Sequence, residues 1–410
     1  MNEIKTLLQE QEMESIWTPD FIKLFIVNAL LSFGQFMISA LIPKYVEHLG
    51  ASVATVGIVA STFAITALAV RPVVGPSTRY FRKNVLLAVA VGMILAAFVC
   101  YGMADTISVI IVGRLLHGVG MGLLGPVTLA LASDALPSRR LASGIGIFSL
   151  GQAVAMAVGP TVGLELVRLF DYDAAFILGA VLIGVVLVFS LRLKSEPTVR
   201  ESRFRISLLD IVAVEVMVPA VMMFFLAGAN SCINAFILIY GGANGVSDIG
   251  LFFTSHAICL LISRPIVGKI ADKYGIDKVM IPGILMFAVS FIVISFSHTL
   301  PMFLISGALS ALGYGVCLPA IQTLCIKLVP QTRRGVASNT SYIGTDLGYL
   351  TAPLAAGFIA SYLQERSGNE VAGYAEMFRI MTIPILISFF IYLVKKKKIS
   401  ADLKAMDPVK

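Results

Sequence analysis

The chain is 410 residues long, 58% hydrophobic and only 13% charged, with a mean hydropathy of +0.90. Soluble domains carry about 25% charged residues, so the soluble classes are excluded and an integral membrane protein is expected. The net charge of +7 is not a nucleic-acid signal, because the basic residues sit in short loops between apolar runs.

Residues 1–20 are polar and mostly acidic, ending near Trp17, and are expected to form a short cytoplasmic tail with an interfacial tryptophan. Twelve segments then approach or exceed the roughly 20 apolar residues that cross a bilayer. They cover 21–43, 53–71, 84–103, 106–133, 141–166, 174–192, 212–240, 247–266, 279–297, 300–328, 336–362 and 375–394. The first is too long for a cleavable signal peptide and lacks a basic lead-in and a cleavage site. The longest linker, 193–211, is basic and polar, and residues 395–410 form a basic tail. Cys100, Cys232, Cys259, Cys317 and Cys325 all lie in apolar segments without metal-ligand spacing and are expected to be buried hydrophobes.

The chain contains a copy of itself, displaced by 193 residues. Segment 56–75 lies over 249–268 with Gly57, Ala64, Ile65, Leu68, Arg71, Pro72, Val74 and Gly75 on identical partners. Gly120, Gly122, Pro126 and Pro137 fall on Gly313, Gly315, Pro319 and Pro330, and Gly151 and Pro160 fall on Gly344 and Pro353. The domains expected are a six-span bundle over 21–192 and a second over 212–394. A tandem duplication of this kind in a membrane protein points to a transporter with its site where the repeats meet.

Loop charge sets an orientation. The loop after the second span carries Arg71, Arg79, Arg82 and Lys83, and its counterpart carries Arg264, Lys269, Lys273 and Lys278. Other basic loops carry Arg139 and Arg140, and Lys327, Arg333 and Arg334, and the last span ends in Lys395 to Lys398. These loops all fall on one side, so both termini are expected in the cytoplasm.

On these motifs the chain resembles the major facilitator superfamily over nearly its whole length, and within it the twelve-helix drug:proton antiporter branch. The family's loop motif, G-x-L-A-D-R-x-G-R-K, appears as GPSTRYFRK at 75–83, with Arg79 replacing the acid, and as GKIADKYGIDK at 268–278, with Asp272 retained. The fourth-span motif R-x-x-x-G-x-G appears as Arg114, Gly118 and Gly120. The antiporter signature of the fifth span appears as Gly146, Ala155, Gly159, Pro160, Gly163 and Leu164, with two glycines replaced. The Thr345-Asp346-Leu347-Gly348 stretch is also similar to bacterial exporters of small polar metabolites, opine-type metallophore exporters among them. The resemblance implies an all-α membrane protein of the major facilitator fold, two six-helix bundles related by pseudo-two-fold symmetry.

Charge inside a bilayer is costly and is read first as function. Asp346 falls roughly 15 Å into its span at 1.5 Å per residue. A carboxylate where water is scarce can load and release a proton, so it is a proton-coupling candidate; the alternative is a structural acid held by hydroxyls. Arg114 falls roughly 12 Å deep and either tunes a proton site, holds an anionic group, or forms a static clamp. His117 and His256 are candidate ligands or packed, hydrogen-bonded histidines, and His256 is placed to pair with Asp346. Asn28, Ser32 and Gln35 share one face of the first span, and Asn230 and Asn234 one face of the seventh. With Gln322 they either line the substrate cavity that the family places there or bond helix to helix. Arg71, Asp134, Arg139, Arg264 and Asp272 are expected as a gate of ion pairs at the inner face. Gly159 and Pro160 with Pro353 are expected hinges, because proline frees carbonyls and bends a helix.

No nucleotide-binding run and no room for a catalytic domain exist, so no enzyme, cofactor or metal site is predicted. The expected activity is proton-coupled export of a small organic molecule by a monomer in the bacterial cytoplasmic membrane. Import of a metabolite and a non-transporting sensor or scaffold are the alternatives.

Overall fold

The computed structural model describes residues 15–50, 53–193 and 211–406. Residues 1–14 of the expected tail over 1–20, most of the linker over 193–211, and residues 407–410 lie outside them.

The described residues form helices and turns, with no strand among them. A bilayer core offers no water to backbone N–H and C=O groups, so apolar segments satisfy them internally as helices. In the first half, α1 runs Pro19–His48, α2 Val53–Tyr80, α3 Lys83–Gly102, α4 Ile107–Asp134, α5 Leu141–Phe148, α6 Leu150–Leu169 and α7 Tyr172–Leu191. In the second, α8 runs Met217–Ala243, α9 Leu251–Tyr274, α10 Asp277–Ser295, α11 Leu300–Lys327, α12 Arg334–Ser367, α13 Glu370–Ile380 and α14 Thr382–Met406. Among the described residues, ten stretches are long and apolar enough to cross a membrane.

Three features depart from the expected spans. The fifth span is interrupted at Ser149, ten residues before Gly159, while α6 runs helical through Gly159 and Pro160. The Ser149 hydroxyl donates to the Gly146 carbonyl (2.8 Å) and competes with the helix ladder there. The second span continues to Tyr80, beyond Pro72 and Pro76. The last helix passes through Lys395–Lys398 to Met406, so the described part of the expected basic tail is helical, as its Ala, Leu, Lys and Met content favours.

The chain divides into two compact units, Met1–Ala213 with Gln331–Asn339, and Val214–Pro330 with Thr340–Lys410. Within the first, α4 packs on α2 and α3, α6 on α1, and α7 on α3; within the second, α11 packs on α9 and α10. With lipid as apolar as leucine, close backbone approach drives such packing, and small residues permit it. The duplication is visible atom by atom. A Cβ on Gly120 would lie 2.6 Å from Ile94, and one on Gly313 would lie 2.5 Å from Phe287, and position 287 is 94 displaced by 193. Gly122 is filled by Ala67 and Gly315 by Leu260, again the same displacement. The loops repeat as well: the short 3-10 turn Ser138–Arg140 recurs as Gln331–Arg333.

Candidate functional site

Each unit holds its own buried polar groups. In the first, Arg114 of α4 is buried, with its guanidinium carbon 4.9 Å above the Phe63 ring and its Nε donating to the Val59 carbonyl at 3.3 Å. The Tyr101 hydroxyl also interacts with the guanidinium. One turn on, His117 is fully buried among Phe63, Phe98 and Tyr101, with Nδ1 3.4 Å from the Tyr101 hydroxyl. Its Nε2 has no hydrogen-bond partner among the described residues. Arg114 and His117 lie one turn apart on α4, and Tyr101, which the sequence did not single out, joins them.

On α1, Asn28, Ser32 and Gln35 are half-buried. Asn28 donates Nδ2 to the Phe148 carbonyl (3.1 Å) beside the Ser149 interruption, so its amide ties α1 to the end of α5. Gln35 differs: its Oε1 is buried with no hydrogen-bond partner among the described residues. Buried polar atoms are normally satisfied, so Gln35 Oε1 and His117 Nε2 are, with Ser338 Oγ and Asn339 Oδ1, acceptor-capable atoms of this unit that a ligand or water would complete.

In the second unit, Asn230 of α8 is buried and donates Nδ2 to the Tyr349 hydroxyl (2.9 Å) on α12. Tyr349 also hydrogen-bonds Tyr314 of α11 and interacts electrostatically with Asp346. Asp346 is half-buried and Gln322 buried, whereas Asn234 is exposed. His256 places Nδ1 2.7 Å from Ser310 Oγ on the adjacent α11. Ser310 is the displaced counterpart of His117, and His256 that of Phe63. Each repeat therefore carries one histidine at the same helix crossing, supplied from opposite helices. Pro353 lies inside the unbroken α12 and is half-buried.

The basic ends of the helices carry a different network. Arg71 donates Nη1 to the Gly122 carbonyl (2.7 Å), and its counterpart Arg264 donates Nε to the Gly315 carbonyl (3.4 Å). Both guanidiniums are buried, and both glycines leave the space that brings their carbonyls within reach. Asp134 at the end of α4 accepts from Lys83 and from Arg334 Nη1 (3.4 Å), and Arg334 also donates to the Ser133 carbonyl (2.8 Å). Asn339 donates Nδ2 to the Arg71 (3.0 Å) and Ile211 (3.2 Å) carbonyls. Through these contacts the first turns of α12 group with the first unit. Arg139 is exposed and Asp272 half-buried. The sequence placed Asp134 in the gate but left its partners Lys83 and Arg334 among the orienting loop charges.

A multi-pass helical protein built from a tandem repeat, with ionisable groups inside its spans, is a membrane transporter in class. The family model described as Major Facilitator Superfamily matches residues 24–240 and 219–408, and the chain belongs to that superfamily. It is similar to the multidrug resistance protein MdtG of Escherichia fergusonii, 26% identical over 364 residues, covering 84% of this chain and 88% of that one. It is also similar to an uncharacterized MFS-type transporter of Methanocaldococcus jannaschii, 21% identical over 400 residues, 94% of this chain and 98% of the other. Among solved structures, a bacterial homologue of the iron transporter ferroportin in an outward-facing state matches with a TM-score of 0.77 at 15% identity. That match covers 93% of this chain and all of that one.

Proposed function

We propose that the chain is a proton-coupled exporter of small organic molecules, working as a monomer by alternating access in a bacterial cytoplasmic membrane with both termini inside. The observation that carries this reading is Asp346, a carboxylate held part-buried on α12 beside Tyr349. An ionisable group at such a place is paired or functional, and protonation changes its charge during a cycle. The similarity to proteins named for multidrug resistance favours export over import. Arg114 and His117 are the second polar centre. Asn28, Ser32, Gln35, Asn230, Asn234, His256 and Gln322 supply candidate contacts to substrate. Arg71, Asp134, Arg139, Arg264 and Asp272 are the gate at the cytoplasmic ends, and Gly159, Pro160 and Pro353 the hinges. In this scheme Lys83, Asp134 and Arg334 are bonded in one state of the cycle and part in another.

The test is transport in everted membrane vesicles with cationic, neutral and anionic amphiphilic fluorophores, with and without an imposed pH gradient. Gradient-driven accumulation of at least one fluorophore is expected from the natural chain and is lost in Asp346→Asn at equal membrane content. Accumulation that ignores the gradient removes proton coupling, and undiminished transport by Asp346→Asn removes that residue as its carrier.

A further inference from the structure

We infer that one rim of the second unit, where α9 turns into α10 and α14 leaves its apolar run, binds an anionic phospholipid of the adjoining leaflet. Lys273, Lys278, Lys397 and Lys398 take the phosphates, and the exposed apolar faces of α10 and α14 take the acyl chains. The inference goes beyond the export reading and holds whatever the chain transports.

The apolar faces say where lipid lies. On α14, Ile383, Ile387, Phe390 and Val394 are exposed and fall within about 60° of arc at 100° per residue. Lys397 and Lys398 continue that face one turn further on, and both are exposed. On α10, Leu285, Val289 and Ile292 form an exposed stripe of the same kind, and the exposed Lys278 heads it. A continuous apolar face is stable against acyl chains and costly against water. On both helices lysine appears where the face ends, the level at which a long cationic side chain reaches the headgroups. Tyr274 marks the same level. Its ring is exposed, with Lys273 Nζ 5.0 Å from the centroid, and tyrosine is enriched at the membrane–water boundary.

Contacts inside the unit bring these lysines to one rim. Gly275 and Ile276 separate α9 from α10, so Lys273 and Lys278 flank one short turn. α14 packs on α10, and the buried Tyr392 hydroxyl of α14 donates to the Asp277 carboxylate at the head of α10. That bond sets Lys395–Lys398 beside the turn and engages the acid next to Lys278. Orientation by loop charge does not require this arrangement. The positions displaced by 193 from Lys273 and Lys278 are Tyr80 and Val85. In the first copy Lys83 is buried against Asp134, Arg79 is half-buried and Arg82 exposed. The second copy instead sets its lysines at the ends of apolar faces on two packed helices. A free phosphate matches the charge alone; a phospholipid matches the charge and the faces together. Basic clusters between spans at the cytoplasmic side suit lipids with several phosphates, so a lipid carrying two is the best fit.

The experiment uses the purified full-length protein in detergent with no gradient, and native mass spectrometry reads the lipid bound. The probes are cardiolipin, phosphatidylglycerol and phosphatidylcholine with the same acyl chains, and inorganic pyrophosphate as a competitor without chains. Cardiolipin is expected to bind most tightly and phosphatidylcholine least, with pyrophosphate unable to displace cardiolipin at equal concentration. Lys278→Gln should weaken cardiolipin about five-fold, and Lys397→Gln with Lys398→Gln about twenty-five-fold, while Lys278→Arg keeps the natural affinity. Arg168→Gln removes the same charge from an exposed site in the other unit and should leave binding unchanged. Phosphatidylcholine bound as tightly as cardiolipin, displacement of cardiolipin by pyrophosphate, or lysine variants no weaker than Arg168→Gln would each overturn the inference. None of these outcomes bears on export, which the vesicle test decides.

Discussion

Replacing Asp134 by asparagine isolates the ion network at the basic helix ends. The substitution keeps the shape of the side chain and removes its charge from between Lys83 and Arg334. The Lys83 side chain is only 5% exposed, that of Arg334 12% and that of Asp134 24%. Removing one partner of a buried pair costs about 3–5 kcal/mol, because the other charge is left without compensation. Here the cost is smaller, since Asp134 reaches water and Arg334 keeps the Ser133 carbonyl, and about 2–3 kcal/mol is expected. For a unit of 150–250 residues, 1 kcal/mol moves the melting point by about 2–4 °C, so the variant should melt about 4–12 °C lower in the same detergent at the same scan rate. Lys83→Met, Asp134→Leu and their double variant complete a cycle. Because an apolar pair can replace an ionic one at little cost, the double variant should be more stable than the sum of the singles by about 1–3 kcal/mol. Additivity within about 0.5 kcal/mol, or an Asp134→Asn melting point unchanged from the natural chain, would refute the reasoning.

Gly313→Ala should destabilise by about 1–3 kcal/mol, since its Cβ would sit 2.5–2.6 Å from the Phe287 backbone; Gly92→Ala, with nothing within 4 Å, should be neutral or gain up to about 1 kcal/mol of helix propensity. Melting curves of the two variants check the contrast, and equal shifts would show that the α10–α11 crossing tolerates the methyl. Ser310→Ala leaves His256 Nδ1 without the partner it has at 2.7 Å and should cost about 1–3 kcal/mol, read as a lower melting point that Ser310→Thr recovers.

Depth along the chain was legible from residue type; direction around each helix was not. Apolar runs and loop charges located the spans because transfer from water dominates insertion, and the Arg-Pro-x-x-Gly repeats marked equivalent helix ends. What those arginines hold was hidden, because a backbone carbonyl is present at every residue and carries no sequence signal. Only the glycine that admits the approach does, and Gly122 and Gly315, 51 residues from their arginines, were read as repeat matches alone. Pairing of His256 with Asp346 was one reading among others, drawn from their membership of the same half alone. The structure turns it to Ser310, since α9 and α11 are packed neighbours and burial of an imidazole requires a near partner. The interruption at Ser149 was missed for the opposite reason. Gly159-Pro160 is the louder signal, yet one turn of serine back-bonding coincides with the helix break, with the Asn28 amide on the adjacent carbonyl.

The two repeats together act as a control that a single copy could not supply. Where both copies agree in chemistry and in contact, as at Arg71 with Gly122 and Arg264 with Gly315, the residue serves what the copies share, which is the fold. Where the same crossing is filled differently, the fold has been satisfied twice by different means, and the difference needs another cause. Phe63 facing His117 and His256 facing Ser310 are two solutions to one packing problem, yet only one leaves a buried ring nitrogen without a partner. Ala153 and Asp346 are the sharper case: alanine has no cost at that position, whereas a carboxylate does in a medium that solvates it poorly. A duplicated membrane fold would shed such a charge by drift unless it contributed something outside stability. The asymmetry between the copies is therefore the place to read function, and it falls on α12.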